Sequence, residues 1–197
     1  MLRYATLAVC ALVLVAGCGG SKEKAAPATS TAATTASAPQ HPVTIAVTTS
    51  LGDFSFRTTP EKSPNAVDSV VGLVGKGFYD GLTFHRVIPE FVIQGGDPNG
   101  DGTGGPGYET HDDVPSDTVY RLGMVAMAKG GTEPPGTAGS QFFVVTGKVV
   151  QFDGPFYAVV GQVTRGIDTV LKIAQVPRDG NDMPRKPVVI QKMTVVG

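Results

Sequence analysis

Glycine and proline interrupt this chain too often for it to build long helices. There are 26 Gly and 15 Pro among its 197 residues. Beyond Val43, apolar stretches run for only a few residues before one or the other ends them, a pattern that suits short strands joined by tight turns. The length allows one domain with appendages, and a hydrophobic content of 41% is enough to close one core. The formal charge is −1, with both signs interspersed, which leaves no basic face for nucleic acid or for an anionic membrane surface.

The N-terminus is not globular sequence. Met1-Leu2-Arg3 carries a positive charge, Tyr4 to Ala16 is apolar but too short to span a bilayer, and Val15-Ala16-Gly17 places small residues directly before Cys18. Residues 1–17 read as a signal peptide. The segment resembles a bacterial lipobox, so Cys18 is expected to be lipidated and to anchor the chain on the extracytoplasmic face of the cell membrane. An ordinary secretory peptide with an incidental cysteine is the alternative. Cys10 lies in the part that would be removed, so the mature chain can form no internal disulfide and depends on core burial. Residues 18–42 are mostly Ser, Thr, Ala and Pro, lack large apolar side chains and read as a flexible linker. The domain is expected over residues 43–197.

Within it, Val43, Ile45 and Val47 alternate with polar or small residues, and Phe54 and Phe56 alternate after Leu51-Gly52-Asp53, which predicts a hairpin. Ser63-Pro64 is a helix start, and Val67, Val70, Val71 and Val74 recur at helical spacing before Gly75 and Gly77. Thr83–Val87, Phe91–Gln94, Leu122–Met127, Gln141–Val145, Ala158–Val163 and Val188–Val195 read as strands, and Ile167–Ala174 as a second helix. The expectation is a mainly β fold, an antiparallel barrel whose open ends are covered by two helices.

Several apparent motifs fail on context. Gly102-Thr103-Gly104-Gly105-Pro106-Gly107 satisfies a bare dinucleotide pattern, but Pro106 interrupts it, Asp97 and Asp101 would repel phosphate, and no helix follows. Asp97-Pro98-Asn99-Gly100-Asp101-Gly102 copies half of a calcium loop. Tyr108 stands where its bidentate acid belongs, so a turn whose short acids bond their own backbone is the better reading. Glu109, His111, Asp112 and Asp113 read as a solvated loop rather than a metal cluster. Ser140 does not sit in a nucleophile elbow.

What remains is the run from Phe84 to Asp97. Arg86 lies inside a short apolar strand, and Gln94 and Gln141 intrude on two others. Buried guanidinium and amide groups cost free energy without partners, so these residues face either water or a groove with fixed hydrogen-bonding groups. Two glutamines, an arginine and several phenylalanines favour the groove.

Three blocks then identify a resemblance: Tyr79-Asp80-Gly81-Leu82-Thr83-Phe84-His85-Arg86-Val87-Ile88-Pro89 running into Gln94-Gly95-Gly96-Asp97, Val125-Ala126-Met127-Ala128, and Gly139-Ser140-Gln141-Phe142-Phe143. In this order they resemble the cyclophilin family of peptidyl-prolyl cis–trans isomerases over about Val43 to Val196. The resemblance implies an eight-stranded antiparallel barrel capped by two α-helices. It implies Arg86 and Gln94 as catalytic residues, and Phe91, Val92, Phe143 and Phe152 as walls of a proline pocket. Gly102, Ala128, Lys129 and Gln141 would line the adjoining peptide strip, with Tyr157 where the family commonly has histidine. His85 would be structural. No metal or organic cofactor is implied. The expected partners are proline-containing segments of unfolded or exported proteins, bound by a monomer that meets the membrane only through its anchor. A non-catalytic proline-peptide module or envelope chaperone is the competing reading. Lys129 replaces the usual asparagine, residues 132–136 lengthen the following loop, and Gln151 stands where tryptophan is common, so cyclosporin binding is expected to be weak.

Overall fold

A computed structural model describes residues 41–152, 154 and 156–196. The expected signal peptide, the lipidated Cys18 and nearly all of the linker lie outside the described residues. Eight strands carry the fold: β1 Thr44–Thr49, β2 Gly52–Thr58, β3 Phe84–Ile88, β4 Val92–Gly95, β5 Met124–Met127, β6 Phe142–Val145, β7 Val159–Arg165 and β8 Ile190–Val196. They form one antiparallel sheet in the order β8-β1-β2-β7-β5-β6-β4-β3. The sheet curls until its two ends meet at a bridge between Thr83 and Val189, beside the bond from Phe84 N–H to Val188 O at 2.9 Å. Two-residue ribbons pair Thr110–His111 with Thr137–Ala138 and Tyr120–Arg121 with Val149–Val150.

The hairpin follows from its period of two. Ile45 and Val47 lie opposite Phe56 and Phe54 on β2, and opposite Val195 and Met193 on β8. Ile45, Val47, Phe54, Phe56 and Met193 all join the main core. At β7, Gly161 makes room for this row, since a Cβ there would stand 2.6 Å from Phe56 Cδ2. The middle strands show no alternation: every residue of β5 and β6 is buried. Val125, Met127, Phe142 and Val144 enter the main core, whereas Met124, Ala126, Phe143 and Val145 belong to a second apolar cluster on the opposite face. A strand buried on both sides loses its amphipathic signature.

Helices α1 (Pro64–Gly75) and α2 (Ile167–Ala174) bury Val67, Val70, Leu73 and Val74, and Val170, Ile173 and Ala174, respectively. α1 packs against β7 and β8, and α2 against β2, β3 and β4. The expected element starts shift by a residue or two: Thr83, Phe91 and Gln141 precede their strands, and Leu122 lies in the turn before β5. Gln141 still extends the ladder, because its carbonyl accepts from Ala128 N–H at 2.8 Å.

Two acids complete the frame. Asp80 accepts Met193 N–H at 3.0 Å and Lys192 Nζ at 2.7 Å on β8; the bond from Lys192 comes first among the causes that hold its carboxyl below the usual range. Asp112 corrects the sequence expectation of a solvated loop. It is 4% exposed and accepts Asn65 N–H at 3.0 Å and Ala66 N–H at 2.8 Å. The Ser63 side chain, in contrast, makes no capping bond. The carboxylate satisfies free amides at the N-terminus of α1 from a distant loop, where negative charge is also favoured. Asp112→Ala is expected to lower the unfolding free energy by about 1–2 kcal/mol, with a smaller loss for Asp112→Asn. An unchanged urea midpoint in the alanine variant would show that the cap contributes nothing.

Candidate active site

The second apolar cluster is where the expected apolar site residues gather. Cross-strand register places Arg86 opposite Gln94, Gln94 opposite Phe143, Phe143 opposite Ala126 and Ala126 opposite Val159. One row therefore crosses β3, β4, β6, β5 and β7 on the face away from the main core. Val92, Tyr120, Phe143, Val145 and Val159 are buried in this cluster, with Phe91, Ala128, Phe152 and Tyr157 half-buried against it. The aromatic rings meet at offset and edge angles. Phe91 to Phe152 is 5.4 Å between centroids, Phe143 to Phe152 is 5.6 Å, Phe143 to Tyr157 is 5.1 Å and Phe152 to Tyr157 is 4.8 Å.

Arg86 borders this slot. Its Cζ lies 5.8 Å from the Phe91 ring centroid, within cation–π range. Its side chain remains 39% exposed. Tyr157 lies within its field: burial raises the phenol pKa, and the Arg86 charge opposes that shift. The guanidinium, the phenylalanines and Tyr157 thus lie together on one face of the sheet.

In the polar strip beside it, Gln94 Nε2 donates to Gln141 Oε1 at 3.0 Å. Gln141 Nε2 in turn donates to the carbonyls of Gly102 and Gly104, both at 2.9 Å. A polar cavity of about 800 Å³ opens here, lined by Gly102, Ala128, Lys129 and Gln141 among others. Lys129 turns its ammonium onto its own loop, donating to Glu133 O at 2.7 Å and Gly130 O at 2.9 Å, and lies 5.6 Å from the centroid of Phe156. It therefore staples residues 130–133 at the rim of the cavity.

The glycine-rich loop is built around Asp97, which is 1% exposed. Its carboxylate accepts the backbone N–H groups of Asn99, Asp101 and Gly102. The acid that headed the calcium-like pattern is thereby spent on its own loop. Ser140 is fully buried and donates to Gly96 O at 2.7 Å, a structural bond that leaves no hydroxyl for attack.

Tyr120 carries no motif and is missed by sequence reasoning. It is buried beneath the slot, its hydroxyl donates to Tyr157 O and accepts from Tyr157 N–H, both at 2.9 Å, and its ring meets Phe152 edge-on at 4.9 Å. Burial pushes its pKa up to about 12. Val119, Tyr120 and Arg121 show no apolar–polar alternation in the sequence, and two paired residues are too few to reveal the role.

These features, namely an antiparallel curled sheet with two capping helices and an arginine beside an aromatic slot on its outer face, define the cyclophilin class of fold. A family model described as cyclophilin type peptidyl-prolyl cis-trans isomerase/CLD matches residues 44–195, and the chain belongs to that family and is a peptidyl-prolyl cis–trans isomerase. It is 38% identical over 168 residues to peptidyl-prolyl cis-trans isomerase A of Mycobacterium tuberculosis, covering 75% of this chain and 88% of that one. It is 35% identical over 156 residues to peptidyl-prolyl cis-trans isomerase-like 1 of Neurospora crassa, covering 77% and 93%. Among solved structures, the cyclophilin type isomerase of Cryptosporidium parvum superposes with a TM-score of 0.73 at 28% identity, covering 80% of this chain and 99% of its own. That protein has also been crystallised in the presence of the dipeptide Ala-Pro, with a TM-score of 0.71 to this chain.

His85, next to Arg86, is 7% exposed, and its Nδ1 is buried without a hydrogen-bond partner among the described residues. Burial lowers its pKa below the ordinary 6.5; Asp97 opposes that shift and Arg86 adds to it. Because the unfolded chain takes up this proton first, stability is full above about pH 6.5 and falls as the pH drops toward the folded-state value. The thermal midpoint is expected to decrease between about pH 7 and about pH 5, with a smaller decrease in His85→Gln. Equal decreases in the two proteins would remove His85 from the explanation.

Proposed function

We propose that Arg86 accelerates X–Pro rotation by stabilising the twisted amide while the prolyl ring sits among Phe91, Val92, Phe143 and Phe152. Amide resonance sets a barrier of about 18–20 kcal/mol. Loss of conjugation at the twisted state localises a lone pair on the prolyl nitrogen. A cation or donor held beside that nitrogen binds the transition state more tightly than either planar isomer. Arg86 is always charged and carries several donors in one plane, so one N–H can meet the carbonyl oxygen and another the developing lone pair. Apolar walls exclude water and strengthen that field. Gln94, held by Gln141, directs its side-chain oxygen to the peptide backbone, while Gly102, Ala128 and the Lys129 backbone border the preceding residues. The chemistry is bond rotation and needs no nucleophile.

The observation that carries this reading is the 5.8 Å approach of the Arg86 guanidinium to the Phe91 ring. The Ala-Pro dipeptide used with the Cryptosporidium parvum relative supports proline peptides as the ligand class. We extend the reading to the cell: a monomeric isomerase tethered through Cys18 on the extracytoplasmic face, acting on exported chains as they fold. The lipobox-like segment and the polar linker support that placement.

In cis-to-trans relaxation of a short X–Pro peptide, Arg86→Ala is expected to lower kcat/KM by about 10²- to 10³-fold. Arg86→Lys should remain impaired, because an ammonium supplies a point charge without the planar set of donors. Full activity in Arg86→Ala would refute the mechanism. Detergent-phase partitioning lost in Cys18→Ala is the expected result for the anchor, and unchanged partitioning would refute it.

A further inference from the structure

Arg86 has a second neighbour that the proline-slot reading does not use. Asp182 lies in the loop between α2 and β8 and places Oδ2 4.0 Å from Arg86 Nε. Its other carboxylate oxygen accepts Arg178 Nε at 3.2 Å. The same residue touches β3 through its backbone, because Val87 N–H donates to Asp182 O at 2.8 Å. Main chain and side chain of Asp182 therefore engage two consecutive residues of the strand that carries the arginine.

The loop is built to deliver this contact. Asp179 accepts the N–H groups of Asn181 at 2.8 Å and Met183 at 3.0 Å, its own N–H donates to Met183 O at 2.9 Å, and Arg178 bridges to Pro184. Asp182 itself has φ 63°, a left-handed conformation that disfavours a residue with a Cβ and is tolerated best by Asn, Asp and Gly.

We propose that Asp182 is a positioning residue for Arg86: its carboxylate holds the Nε side of the guanidinium and so aims the terminal nitrogens at the prolyl peptide bond. Arg178 holds Asp182 in turn. The triad contains two cations and one anion, so a positive field survives at the slot while the arginine loses rotational freedom that reaching the twisted amide would otherwise have to remove. This inference rests on the role of Arg86 given above.

Both side chains of the pair are more than a third exposed, at 39% and 35%, so the expected effect is modest. Asp182→Asn and Asp182→Gly, which both accept the backbone conformation, should lower kcat about 3- to 10-fold with KM for an X–Pro peptide within about twofold. The 15Nε resonance of Arg86, assigned by its loss in Arg86→Lys, should shift in both. Arg178→Gln, which leaves the Asp182 backbone untouched, should give a smaller loss of kcat, and the Arg178→Gln/Asp182→Asn double variant should be no worse than Asp182→Asn alone. Wild-type kcat in both Asp182 variants, or a rise in KM with kcat unchanged, overturns the proposal, and if either variant does not fold the other and Arg178→Gln decide it. Arg86→Ala is measured in parallel. If it is inactive while Asp182→Asn keeps full kcat, only the positioning role fails; if it is as active as wild type, the reading of Arg86 fails first.

Discussion

Strands β5 and β6 are apolar on both faces, so the sheet has to be covered twice. The barrel interior and the two helices cover one side. On the other, no helix among the described residues lies over Met124, Ala126, Phe143 and Val145; the cover there is a set of loops carrying Phe152, Tyr157 and the ribbon of Tyr120 and Val150. Loops with bulky aromatic rings cover a sheet incompletely, and the rings of Phe91, Phe152 and Tyr157 stay half-buried beside Arg86. The site is thus a consequence of how the outer face is closed. Each residue of the row from Arg86 to Val159 is placed by strand register, so a one-residue slip in β4 or β6 would send Gln94 or Phe143 into the barrel interior.

The loops stay in place because acids, two of them buried, satisfy backbone amides. Asp97 organises the turn behind the polar cavity, Asp112 joins the loop before β5 to the start of α1, and Asp179 shapes the loop that presents Asp182. Asp97 and Asp112 form charge-assisted bonds in buried surroundings, where an unpaired amide is costly, and Asp179 does so at the surface. With so little helix, and so many residues between short strands, these carboxylates perform the work that longer regular elements do elsewhere. Two of the three had the appearance of ligand-binding residues in the sequence, and both point inward to the backbone.

Much of the architecture is legible from patterning. The alternation of Ile45, Val47, Phe54 and Phe56 indicates a hairpin, and Ser63-Pro64 with valines at helical spacing marks α1 from its first residue. Strand ends are less legible, because Phe91 and Gln141 have strand-like character but lie just before β4 and β6. Arg86, Phe91, Gln94, Gln141 and Phe143 stand out since polar side chains interrupt apolar runs. Tyr120, Asp112 and Asp182 do not, as each acts on a residue far away in the chain: Asp112 on Ala66, Tyr120 on Tyr157, and Asp182 on Arg86.

Local sequence by itself determined the hairpin, the two helices and the class of the sheet, because hydrophobic period and turn chemistry act over a few residues; the residues expected around the site came from the resemblance of its motifs to a family. Only the tertiary structure decided which face of β5 and β6 became the floor of the site, that Gln94 pairs with Gln141, that Lys129 is turned onto its loop, and that a carboxylate from the loop before β8 stands beside the Arg86 guanidinium. Those outcomes depend on register and on contacts between distant segments, and a side chain's partner across space leaves no periodic mark in the chain that carries it.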